Sequence, residues 1–154
     1  MKNPKLNCRS KHSGQLLVIV FILVAIIGGG FWYLYSNKAA MDKDCRAFGK
    51  EAVERLAVNH DLQFFGERLG LQAKLEYPPS QQKYIIEKLT ELGTPSQPIP
   101  IESTVTFESN FFEPKGYFIA KLNYPSRPAT FEIATSHPAG IWHIDHVELK
   151  YGTQ

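Results

Sequence analysis

The chain has 154 residues, 44% of them hydrophobic and 21% charged, with 10 Pro, 11 Gly, 2 Cys and a formal charge of +2. A domain takes roughly 100–150 residues, so this length holds one globular domain and a short appendage. The apolar content excludes a disordered chain, the glycines show no collagen period, two cysteines cannot frame a small disulfide scaffold, and the slight charge excess points to no nucleic-acid partner.

The small net charge hides an asymmetry. Residues 1–14 carry Lys2, Lys5, Arg9 and Lys11 with no acid, which makes this tail +4, whereas all 15 acidic residues lie after residue 35, where 13 basic residues leave −2. Between them, residues 15–35 contain no charge at all, and a helix of that length spans about 30 Å, the thickness of a bilayer core. The segment therefore reads as a transmembrane helix. The positive-inside rule keeps the basic tail in the cytoplasm, and Trp32, Tyr33 and Tyr35 suit the opposite interface. Residues 36–41 form a stem, and residues 42–154 an extracytoplasmic domain. In a bacterium this is an inner-membrane protein with a periplasmic domain. A cleaved signal peptide would have a shorter apolar run ending at a small-residue site, but here Phe31, Trp32 and Tyr33 follow, so an uncleaved anchor is expected. Ala25 and Gly29 are spaced for close helix approach. Cys8 and Cys45 fall on opposite sides of the membrane and cannot pair.

The start of this segment also resembles type IV pilins. Lys11, His12, Ser13 and Gly14 precede an apolar run containing Val24, Ala25, Ile26, Ile27 and Gly28. The resemblance implies processing after Gly14 and a helix continuing unbroken from the membrane into the domain. That family carries Phe or Met at the next position and Glu four residues later, where this chain has Gln15 and Ile19.

Residues 42–60 read as an amphipathic helix, with Phe48, Ala52, Leu56 and Ala57 on one stripe and Lys50, Glu51, Glu54 and Arg55 on other faces. A short second helix covers Leu62 to Phe65, with its exit at Leu69, Gly70 and Leu71. Pro78 and Pro79 break the chain, and Ser80 is placed to cap a helix over residues 81–92 that Gly93 ends. Tyr84, Ile85, Leu89 and Leu92 are its expected inward side.

The period then falls to two. Ile99, Ile101, Val105 and Phe107 alternate with Glu102, Thr104, Thr106 and Glu108, which describes a strand with one wet face. A turn is expected at residues 113–116, a second strand at 117–124, a third at 130–135 and a fourth at 141–150. Such close strands join as an antiparallel meander. In the fourth, Trp142 and Ile144 share one face but Val147 and Leu149 the other, so a β-bulge near Asp145 and His146 is needed to restore one apolar face. The fold class is α+β, with helices packed on a four-stranded antiparallel meander in two layers.

This order, with Asn59, His60 and Asp61 ending one helix, Leu92 and Gly93 ending another, and a final strand running from Gly140 through Trp142 and Ile144, resembles the cystatin-like, nuclear transport factor 2-like superfamily, especially membrane-anchored bacterial members of unknown function. The resemblance implies a curved sheet wrapped around the first helix with a cone-shaped pocket at its open end.

Candidate chemistry is sparse. His143 and Asp145 sit two apart on one strand face and have the residue types of an acid–base pair, but the alternation that turns Trp142 and Ile144 inward points them to solvent. His143 and His146 lack a third metal ligand at suitable spacing, and no phosphate loop or nucleophile elbow occurs. No catalytic residue, cofactor or metal is expected. Phe107, Phe111, Phe112, Tyr117, Phe118, Tyr124, Phe131 and Trp142 either form core or line a ligand cavity. Phe111 and Phe112 cannot both face inward, so one is exposed. The sequence thus suggests a non-catalytic interaction or assembly module with Phe112, His143 and Asp145 on its surface, bound by a protein partner or by a second copy. A small-molecule or enzymatic pocket domain and a pilin-like subunit are the alternatives.

Overall fold

A computed structural model describes residues 12–109 and 112–152; most of the basic tail, with Cys8, and Phe111 lie outside the described residues. Helix α1 runs from His12 to Val53, and one turn of π-helix, Glu54–Val58, follows it directly. Residues 36–41, expected as a stem, are part of α1. Three short helices come next, α2 (Leu62–Arg68), α3 (Leu71–Glu76) and α4 (Pro79–Leu92). Strands β1 (Ile101–Phe107), β2 (Pro114–Asn123), β3 (Pro128–Ser136) and β4 (His143–Tyr151) complete the chain. The architecture is α+β, and the sheet is antiparallel in the order β1-β2-β3-β4. The chain divides into two compact units, residues 1–37 and 38–154.

In the first unit α1 is apolar on every side. Its most apolar 18-residue window has a mean hydropathy of 2.6 and none of it is buried, so by length and composition this helix can cross a membrane.

In the second unit α1 becomes one-sided. Cys45, Phe48, Ala52 and Val53 are buried, and Leu56 and Ala57 continue the stripe into the π-turn. Two glycines allow the helix to lie close on the sheet. A Cβ at Gly49 would stand 2.3 Å from the Phe118 ring, and one at Gly116 would stand 2.6 Å from Cys45 Sγ. Gly116 therefore sits inside β2 rather than in the expected turn, which lies just before Pro114. Pro opens β2 without loss, because a first strand residue need not donate to the ladder. Phe118, Leu122, Phe131 and Ile133 fill the space between sheet and helices, together with Phe65, Leu69 and Leu89. The other face of the sheet is charged, with Glu102–Lys121, Glu108–Lys115 and Glu132–Lys150 ion pairs.

Asp61 caps α2 by accepting from Phe64 N–H at 2.9 Å, and Arg55 Nη1 lies 2.8 Å from the same carboxylate. These two donors, the backbone amide first, hold its pKa below the ordinary carboxylate value. Helix α4 begins at Pro79, two residues before the expected start, and ends at Gly93 with φ 88°. Its inward residues are Ile86, Leu89 and Leu92, whereas Tyr84, expected on that side, is exposed.

Candidate functional site

The expected bulge is present and shapes the surface around the three nominated residues. Ala134 pairs with His146 and Thr135 with Ile144, which leaves Asp145 as the extra residue of β4. The shift brings Ile144 and Val147 to the same buried face. Asp145 is exposed and His143 half-buried, and among the described residues no hydrogen bond joins them. The His143 Nδ1 is buried without a partner.

The free edge of β4 is covered at Ile144 and Val147. Gly70 N–H donates to Ile144 O at 2.9 Å, with Leu69 bridged to Ile144. A Cβ at Gly70 would stand 2.9 Å from Asp145 Oδ1, so this junction between α2 and α3 fits the bulge as a glycine. One bulge residue further on, Tyr77 closes the edge with its side chain. Its hydroxyl accepts from Val147 N–H at 3.2 Å and lies 3.1 Å from Val147 O and 2.8 Å from His146 Nδ1. The hydroxyl has one proton. If it donates to the carbonyl, Nδ1 is the protonated nitrogen of His146 and donates to the hydroxyl, and all three contacts are satisfied. Burial raises the Tyr77 pKa, against the pull of its bond with Val147. At the opposite edge Arg46 Nη1 donates to Ser103 O at 3.3 Å and also to its hydroxyl, while Nε donates to Asp42 at 2.8 Å.

The aromatic residues divide between core and surface. Phe118, Tyr124 and Phe131 are buried in the core, Trp142 stacks on Phe48 with centroids 5.7 Å apart, and Tyr117 faces solvent, where it donates to Glu132. Phe112 is 48% exposed in the turn before β2 and is followed by Glu113 at φ 57°. Burial raises the thiol pKa of Cys45, partly offset by the Thr135 hydroxyl. Among the described residues no three His, Cys, Asp or Glu side chains are grouped to hold a metal ion.

Among the described residues, other surface features have no signal in the sequence pattern. One is α3, which presents Leu71 and Leu75 to solvent. Another is a groove of about 260 Å3 between α4 and β4, with Tyr84, Ile85, Val147, Leu149 and Tyr151 among its walls. Two leucines four apart usually mark a buried stripe, so the pattern alone conceals the first. Comparison with known proteins finds no family model, no curated protein and no solved structure that matches this chain.

Proposed function

We propose that this chain is a single-pass membrane protein whose folded unit is an extracytoplasmic, non-catalytic interaction module. The observation that carries the anchor is the uncovered apolar window of α1, since a helix apolar on all sides and buried by nothing in its own chain needs lipid or another protein around it. The basic tail before it supports a cytoplasmic N-terminus. The order of one helix, shorter helices and a four-stranded meander supports a cystatin-like arrangement. Exposed Phe112, Leu71 and Leu75 favour protein contacts over chemistry, because the surface offers apolar contact area while His143 and Asp145 stand unlinked.

The first test is extraction of native membranes at alkaline pH, in which the full chain should stay with the lipid pellet; release into the supernatant would refute the anchor. Photoreactive residues placed in turn at Phe112 and His143 should then capture one envelope protein or a second copy reproducibly. Capture of nothing from both positions would refute the interaction surface they define.

A pilin-like subunit is the second reading, favoured by the uninterrupted helical span His12–Val53. Intact-mass measurement decides it. Loss of residues 1–14 supports processing after Gly14, and their retention removes this reading.

A further inference from the structure

Helix α3 has its apolar side turned outward. Its own buried side chain is Ala73, while Leu71 and Leu75 are 87% and 84% exposed. Residues four apart share a helix face, so the two leucines form one ridge. Lys74 stands on the same helix, and among the described residues it has no acidic partner, whereas Arg55, Lys83, Lys88 and Lys150 all do.

The groove between α4 and β4 begins where the ridge ends. Tyr77 terminates α3 and also lines the groove, so the two features share a border. An adjacent ridge and groove are compatible with a two-fold axis, in which each copy offers one and receives the other. The charges agree with that pairing. Glu148 lines the groove and is 47% exposed, which leaves it room for a cation besides Lys150 at 3.2 Å and His146 at 3.9 Å. The basic residue of the groove, Lys88, is already held by Glu91 at 2.7 Å.

The geometry points to self-association, in which the α3 ridge of one copy seats Leu71 and Leu75 in the α4–β4 groove of a second copy and Lys74 meets the second copy's Glu148. This inference rests on reading the folded unit as a membrane-tethered interaction module. Tethering supports it, because two copies held in one membrane meet at a raised effective concentration and a contact of small area then suffices.

The test uses the full chain with Cys8→Ser in native membranes, where buried Cys45 stays out of reach. Two differently tagged populations carry Leu75→Cys and Tyr84→Cys and are oxidised together. A mixed disulfide should form in at least about tenfold higher yield than between Leu75→Cys and Thr104→Cys, a control on the charged face of β1. Lys74→Glu should cut the yield, and Lys74→Glu combined with Glu148→Lys should restore it. Equal yields in both cysteine pairs, or indifference to the charge exchange, overturn the inference. Leu71→Ser with Leu75→Ser should lose the mixed disulfide, measured through Tyr84→Cys and Lys74→Cys, without lowering the melting temperature. A fall in melting temperature as large as that of a core substitution would instead make the ridge part of the core and overturn the inference. If the cysteine pair stays unlinked while a photoreactive Phe112 captures a different protein, the ridge contact is wrong and the interaction module stands. Failure of both experiments removes both.

Discussion

The two parts of α1 have the same backbone and opposite surroundings. Between about residues 17 and 34 apolar side chains face every direction and none of the most apolar window is covered. From Cys45 to Val53 the apolar residues keep to one stripe, and the sheet covers it closely enough to require glycine at position 49. Helical hydrogen bonding is common to both, so the side chains decide what each part needs around it. An all-round apolar surface calls for an apolar medium, and a stripe calls for a matching face of protein.

Paired substitutions test this contrast. The largest effect is expected from Phe118→Ala, which should lower the stability of the folded unit by about 3–5 kcal/mol in denaturant titrations of the full chain in detergent. Phe21→Ala should leave that transition unmoved, and a comparable loss there would mean that the first part also packs on protein. Next, Val24→Arg should disfavour membrane insertion by about 2.5–3.5 kcal/mol, read as a smaller fraction resisting alkaline extraction. An unchanged fraction would break the lipid half of the contrast. A smaller effect separates two glycines of the same helix. Gly49→Ala forces a methyl against the Phe118 ring and should cost about 1–3 kcal/mol, whereas Gly29→Ala meets nothing within 4 Å and should leave the folded unit unchanged. Equal effects at the two positions would contradict the close approach.

The smallest effect is a pH dependence confined to the covered part. Tyr124 donates to Ala57 O of the π-turn at 3.4 Å, and burial pushes its pKa up to about 12 from 10.0. The unfolded chain ionises first as pH rises, so this residue's stabilisation is complete below about pH 10 and lost as pH climbs through about 12. Melting temperatures across that window should fall less steeply in Tyr124→Phe. An identical slope would show that the hydroxyl does not titrate in the core.

Alternation made most of the sheet legible in the sequence. Strands β1 to β4 follow a period of two, and the phase change between Ile144 and Val147 located the bulge because one slipped residue reverses every later side chain. Glycine and helix phase were less informative. Gly116 has the residue type of a turn but serves the close approach of Cys45, which is a tertiary requirement. In α4 the adjacent pair Ile85 and Ile86 allows two stripes, and packing on α2 and the π-turn selects the one with Ile86 inward and Tyr84 outward. Of the nominated surface, the outward placement of Asp145 was readable and Phe112 is exposed. But His143, expected outward beside Asp145, is half-buried with its Nδ1 covered, because the bulge and the crossing at Gly70 enclose it. The ridge of α3 was not, because a helix of six residues gives too few positions to show which side faces the core.

Both edges of the sheet are met at single points by side chains or by a crossing loop: Arg46 at Ser103, Gly70 at Ile144, and Tyr77 at Val147. Bare strand edges invite neighbouring chains to add strands without limit, a route to fibrils. Where an edge is blocked, contact is left to side-chain surfaces, where complementarity in shape and charge chooses the neighbour. The Tyr77 hydroxyl on β4 therefore keeps one point of that edge from serving as a template, besides making a structural bond.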